Sequence, residues 1–274
     1  MITTMKGRHA LDALVVAGFA GVRFFKITEE ILNELSLFTG SGGGLLGTKL
    51  LGFKHVGYVE WNEHCQKVIS QRITDGLLDE APIFGDIETF INEGYAGAYS
   101  GLVDILTAGF PCQPFAHGGL GLAGSDERNR WPETLKCIRI IRPRGILLEN
   151  SANLINHEYI RRIFWDLAEV GYSARWDVLS ACMFGAPHTR ERLFIVAYPN
   201  GEHGKKWLGA IANKRSIPEG HNGEMFENWM GSISGNAGSG AGVADRVERT
   251  KAIGNGQVPL VVRNVFKSLV YLGG

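Results

Sequence analysis

Seven short apolar runs, at 35–38, 56–60, 83–84, 103–108, 145–149, 176–181 and 193–198, recur along the 274-residue chain. Between the earlier ones lie stretches that read as helices, at 44–51, 62–72, 133–141 and 156–170. Strands separated by helices cannot be joined by tight hairpins. The pattern therefore calls for crossover connections and a mostly parallel sheet with helices on both faces. The last two runs are joined by a polar loop without an evident helix, so they are expected to pair antiparallel. This is an α/β architecture of about seven strands, and in such open sheets ligands bind at the C-terminal edge of the strands.

The composition changes at Pro199. Residues 200–245 are rich in Gly, Asn, Ser and Lys, with Trp207, Trp229 and Met230 as scattered apolar anchors. That span reads as a small, loop-rich module or linker. The amphipathic stretch 258–272 reads as a helix returning to the main domain. The expected organisation is an N-terminal extension of unassigned role (1–32), a main domain (33–199), the loop-rich region (200–245) and a returning C-terminal segment (246–274). No run approaches the ~18 apolar residues of a membrane span. The stretch 14–21 loosely imitates a signal peptide, but Asp12 stands at its entrance, and the expectation is a cytoplasmic chain. Cysteines at 65, 112, 137 and 182 include no C-x-x-C pair, which suggests neither a zinc site nor a disulfide framework. Free thiols fit a reducing compartment. Net charge is zero but unevenly spread: nine Asp/Glu against Lys67 and Arg72 over 60–104, and eleven Arg/Lys against seven Asp/Glu over 128–192. A basic middle segment can serve as a phosphate footprint or simply as a solvated surface.

The sharpest chemical feature is Gly109-Phe110-Pro111-Cys112-Gln113-Pro114-Phe115, directly after the run 103–108. Proline fixes its own φ and pushes the preceding residue into extended conformation. A strand thus ends in a stiff loop carrying a thiol, which is either a nucleophile or a core filler. Phe38-Thr39-Gly40-Ser41-Gly42-Gly43-Gly44 follows the first strand, and its glycines let the backbone approach a ligand closely. Position 45 is leucine, so the run is not G-x-G-x-x-G. Glu60 closes the next strand, where a Rossmann-like fold places an acid on a ribose hydroxyl pair. Trp61 beside it could cover an adenine, and Asp86 at the third strand end could accept from an exocyclic amine. The bland alternative is tight turns with surface acids. Glu149 ends a buried-looking strand. Burial raises a carboxyl pKa, so it could donate to a ring nitrogen or merely cap and pair. Arg190 and Arg192 alternate before a strand and would face one cleft, unless they pair at the surface with Glu191.

In order, FTGSGG, VEW, GDI, GFPCQPF, LLEN, APHTRER and Gly254-Asn255-Gly256-Gln257-Val258-Pro259 resemble the motifs of DNA (cytosine-5) methyltransferases, over roughly 33–200 and 245–272. The resemblance implies the Rossmann-like sheet of S-adenosylmethionine-dependent methyltransferases, with Cys112 as nucleophile and Glu149 at N3 of the target cytosine. Arg190 and Arg192 would line that site. Phe38, Gly40, Gly42, Glu60, Trp61, Asp86, Ile87, Pro111 and Asn255 would surround S-adenosyl-L-methionine, with no metal. Residues 200–245 would occupy the place of the target recognition domain. It also implies double-stranded DNA as partner, with a cognate restriction endonuclease possible in the same system, and a monomer. The nearest rival enzyme is a cytosine-5 methyltransferase of tRNA. Ser151 stands where the family usually has valine, and His188 where glutamine is common; neither removes a catalytic group.

Overall fold

Among the residues that the computed structural model describes (31–111, 129–213 and 256–271), seven strands form one sheet. They are β1 (Asn33–Leu37), β2 (Lys54–Val59), β3 (Ile83–Phe84), β4 (Ile105–Ala108), β5 (Gly145–Ser151), β6 (Tyr172–Ser180) and β7 (Glu191–Pro199). Their order is β3-β2-β1-β4-β5-β7-β6. Strands β1 to β5 run parallel, whereas β7 is antiparallel to both β5 and β6. The α/β sheet expected from the sequence is present, with the antiparallel pair at its end.

The helices are α1 (Gly43–Lys49), α2 (Glu63–Thr74), α3 (Ile87–Asn92), α4 (Tyr95–Ala98), α5 (Trp131–Ile141), α6 (Tyr159–Glu169), α7 (Glu202–Ala212) and α8 (Pro259–Tyr271). Strand residues alternate between two buried faces. Leu106, Ile146, Leu148, Leu193 and Ile195 join the core with α3, α4, α5 and α6, while Ile105, Leu147, Phe194 and Val196 join the one with α7 and α8. Burial on both faces explains why these strands read as continuous apolar runs rather than alternating ones. A third, smaller cluster seats α1 on α2 through Leu45, Leu46 and Ile69.

Two features differ from the sequence reading. Helices α3 and α4 are too short to show a helical period, and they fill the span between β3 and β4. Within the stretch read as loop-rich, α7 buries Trp207, Leu208 and Ile211 in the core shared with α8. Residues 1–30 and 214–255, which hold most of the expected extension and recognition region, lie outside the described residues. No described helix is long and apolar enough to cross a membrane.

Topology places the crevice. Strand β1 pairs with β2 on one side and β4 on the other, and the chain leaves β1 and β4 in opposite directions. The loops after their C-terminal ends therefore diverge, opening the gap where α/β folds hold ligands.

Beneath that gap lies a buried polar pair. Glu34 on β1 is 1% exposed; its Oε1 accepts from Thr107 Oγ1 at 2.8 Å, and its Oε2 lies 3.5 Å from His55 Nε2. Burial pushes the Glu34 carboxyl up to about 7 against the hydrogen bonds of Thr48 and Thr107. The same burial drives His55 down to about 4, despite the attraction of Asp79. Between pH 4.5 and 6.5 the folded pair keeps its single proton on Glu34, whereas the unfolded chain keeps one on the histidine. The two contributions to pH-dependent stability cancel in that window. Glu34→Gln leaves only the depressed histidine, whose contribution is present above pH 6.5 and lost as pH falls toward 4. Relative to wild type, that variant should lose roughly 3 kcal/mol on acidification. His55→Gln leaves only the raised carboxyl, which should cost stability as pH rises from 4.5 to 7. Urea midpoints of the three proteins across this range test the idea, and parallel curves would refute it.

Candidate active site

The glycine-rich turn after β1 departs from ordinary backbone geometry. Phe38 has φ 53°, a left-handed conformation that costs a non-glycine residue about 1 kcal/mol, and Gly40 and Gly42 follow at 58° and 82°. The turn is pinned by Thr39, whose amide donates to the Val59 carbonyl at 3.2 Å and whose hydroxyl donates to the Ser36 carbonyl at 3.1 Å. The next strand end locks onto it. Glu60 Oε2 accepts from the Gly40 amide at 2.6 Å, and Oε1 accepts from the Asn62 amide at 2.8 Å. Burial raises the Glu60 pKa while these two amides oppose the rise. Each oxygen retains a second lone pair for a ligand hydroxyl.

Beyond Glu60 lies an open cleft of about 610 Å³ lined by Trp61, Asn62, Glu63, His64, Gln66, Gly85 and Asp86. Its volume suits a nucleoside. Trp61 is 76% exposed, so one indole face is free to cover a base. Asp86 caps α3, its Oδ2 accepting from the Thr89 amide at 2.8 Å and hydroxyl at 2.9 Å. Slight burial works against ionisation there, but the Thr89 bonds prevail and lower the pKa. The Ile87 side chain belongs to the core, and Ile87 does not line this cleft. A separate narrow slot of about 40 Å³ is lined among others by Phe38, Gly40, Gly109, Glu149 and Gln257.

The ends of β4 and β5 supply the reactive side. Phe110 packs its ring 5.7 Å from Trp131, and its carbonyl accepts from Asn150 Nδ2 at 3.0 Å. This fixes the chain entering Pro111. Cys112 lies outside the described residues, as does Asn255. The chain is held again at Asn129, which donates to the Tyr159 hydroxyl at 2.7 Å and accepts from the Trp131 amide at 3.1 Å. Both stems of the segment carrying Cys112 are thus anchored, by two asparagines that the sequence reading did not single out.

Glu149 is 8% exposed, with Oε1 3.1 Å from Arg192 Nε and Oε2 accepting from Gln257 Nε2 at 3.4 Å. Burial raises its pKa, opposed first by Arg192 and then by Arg190 and Gln257. Antiparallel pairing explains the arginine's position. Arg192 stands opposite Ser151, two residues beyond Glu149, and so on the same face of the sheet. Arg190 joins the group through charge: burial lowers its pKa, Arg192 adds to that, and Glu149 opposes it.

A family model of the C-5 cytosine-specific DNA methylases matches residues 32–237 of this chain. The chain belongs to that family. Among curated relatives, it is 32% identical over 172 residues to the Type II methyltransferase M.NgoMIV of Neisseria gonorrhoeae, covering 61% of this chain and 52% of that one. It is 33% identical over 182 residues to the Type II methyltransferase M.Eco47II of Escherichia coli, covering 64% and 41%. The chain therefore spans about half the length of the curated relatives it matches. Among solved structures, a Spodoptera frugiperda DNMT2 mutant superposes with TM-score 0.51 at 22% identity, covering 62% of this chain and 50% of that one. The Entamoeba histolytica methyltransferase EhMeth does so with TM-score 0.51 at 16% identity, covering 63% and 54%. At these identities the structures bear on the fold alone.

Within this member of the C-5 cytosine-specific DNA methylase family, the sequence-predicted residues fall into two groups across the gap between β1 and β4. Phe38, Gly40, Gly42, Glu60, Trp61 and Asp86 sit at the ends of β1, β2 and β3. Pro111, Glu149, Arg190 and Arg192 sit at the ends of β4 and β5 and the start of β7. Three further residues emerge from the structure: Asn129, Asn150 and Gln257. Asn150 and Gln257 lie inside quoted motifs, but nothing in their spacing tells which atoms they hold.

Proposed function

We propose that this chain transfers a methyl group from S-adenosyl-L-methionine to C5 of cytosine in double-stranded DNA. The reading includes a covalent bond between Cys112 and C6 of a base flipped out of the helix. The observation that carries it is Glu149, a buried carboxyl gripped by Arg192 at the end of the strand next to the one leading into Cys112.

The residues present suit the methyl donor. Glu60, held by the Gly40 and Asn62 amides, offers carboxylate lone pairs at the end of β2, and the next residue, Trp61, lines the nucleoside-sized cleft with Asp86. When bound, S-adenosyl-L-methionine supplies an electrophilic methyl group on a sulfonium. The chain's task is to make C5 of cytosine nucleophilic. Glu149, kept in its acid form more readily by burial, gives its proton to N3. The ring then accepts the Cys112 thiolate at C6, and the electron pair moves to C5. Arg192 meets the Glu149 carboxylate left behind, so no bare charge is created in the interior. After C5 has taken the methyl group, a base removes H5, its electron pair re-forms the C5–C6 double bond as the C6–S bond breaks to release the Cys112 thiolate, and the N3 proton returns to Glu149. Reaching C6 requires extrusion of the base from the duplex at a cost of a few kcal/mol. The Arg-rich span 128–192 can offset this through phosphate contacts.

A cognate restriction endonuclease is the partner class suggested by relatives named Type II methyltransferases. We further take the enzyme to act as a monomer in the cytoplasm. Incorporation of label from methyl-labelled cofactor into duplex DNA, compared with tRNA, tests the substrate. Bisulfite sequencing of plasmid from expressing cells tests the position. Label in duplex DNA at a fixed cytosine context is the expected result. Label confined to tRNA, or to adenine, would overturn the reading.

A further inference from the structure

We propose that Gln257 is the positioning residue of Glu149, bridging the narrow slot beside the glycine-rich turn and the carboxyl that serves the target base. This rests on the function proposed above. The residue enters from the segment before α8, far from Glu149 in sequence (|i−j| of 108). It fits because glycines line its path on two other elements. A Cβ on Gly43 would run into the Gln257 carbonyl oxygen, and one on Gly44 into its Oε1. A Cβ on Gly109 would lie 3.0 Å from Nε2 and 3.3 Å from Glu149 Oε2. The start of α1, the end of β4 and the end of β5 therefore converge on one carboxamide.

The amide orientation follows from its neighbours. Nε2 donates to Glu149 Oε2 at 3.4 Å, while Arg192 Nε holds Oε1 at 3.1 Å. Both carboxyl oxygens are thereby held, one by a charged donor and one by a neutral donor. The neutral one matters for the chemistry. A second cation would keep the proton off Glu149, whereas an amide fixes the oxygen without adding charge. Gln257 also lines the narrow slot together with Phe38, Gly40 and Gly256. The lining of the slot and the direction of the Glu149 carboxyl thus meet at one side chain.

The test uses Gln257→Met, which fills the same space without a donor, and Gln257→Glu, which replaces the donor with a like charge. In both, Glu149 should titrate at higher pH than in wild type, read by carbon-13 NMR of glutamate-labelled protein with Glu149→Gln for assignment. If one variant does not fold, the other carries the comparison. In the methyl-transfer assay, Gln257→Met should lower kcat about tenfold and move the alkaline limb of the kcat profile upward. An unmoved Glu149 titration in the folded variants overturns the proposal, whether or not the protein methylates DNA. A wild-type protein that leaves DNA unmethylated defeats only the functional reading.

Discussion

Cys112→Ser is expected to lower methyl transfer by about 10⁴-fold or more, with the cofactor still binding as in wild type. The reason lies in the substrate. C5 of cytosine has no lone pair to offer and becomes a nucleophile only after a group has added at C6. A serine hydroxyl is nearly the same size but is almost wholly un-ionised at neutral pH, so it is a far weaker nucleophile than a thiolate. Cofactor affinity should survive, because Phe38, Glu60, Trp61 and Asp86 stand at the ends of other strands. The measurement is single-turnover transfer to duplex DNA, beside equilibrium binding of the cofactor. A companion experiment uses DNA carrying 5-fluorocytosine at the target. Fluorine cannot leave as a proton, so the enzyme should remain covalently attached. Attachment that persists in Cys112→Ser would mean that a different thiol attacks; of the described cysteines, Cys65 and Cys137 are buried and Cys182 is exposed.

Glu149→Gln is expected to reduce kcat by roughly 10²–10⁴-fold, the usual worth of a positioned general acid. Glutamine keeps the shape and can still bond to N3, but it has no proton to give up. The pH profile separates loss of the acid from loss of structure. Burial, only partly opposed by Arg192, Arg190 and Gln257, lifts the Glu149 carboxyl above the ordinary carboxylate range. In wild type, kcat should therefore fall as pH rises through that raised value, and Glu149→Gln should lack this alkaline limb. The substitution also leaves Arg192 without its carboxylate, so a modest loss of stability should accompany it. Retention of more than about a tenth of wild-type kcat would remove Glu149 from the acid's role.

Much of the fold was legible because hydrophobic periodicity is a local property. Every run read as a strand is one, and the errors lie at the ends. Strand β6 begins at Tyr172 rather than at 176, since Ser173, Ala174 and Arg175 sit on an edge strand and lack the continuous apolar character of the central ones. Helix α7 escaped notice because Gly204, Lys205, Lys206 and Gly209 mask the Trp207–Leu208–Ile211 spacing that buries it. At the site, the strand-end acids and the paired arginines could be named from their motifs. Which arginine meets Glu149 could not, because alternation places Arg190 and Arg192 on the same side. The register of β7 against β5 decides for Arg192.

By itself the sequence determined the order of elements and the residue types standing at each strand end, both of which follow from short-range pattern. Only the tertiary structure decided that β7 inserts between β5 and β6 and that the chain diverges between β1 and β4. It also decided that a glutamine 108 positions away holds the second oxygen of Glu149. Those outcomes depend on which surfaces pack together. Packing across such separations is settled by complementary shape and by the need to partner buried polar atoms, neither of which leaves a local trace in the chain.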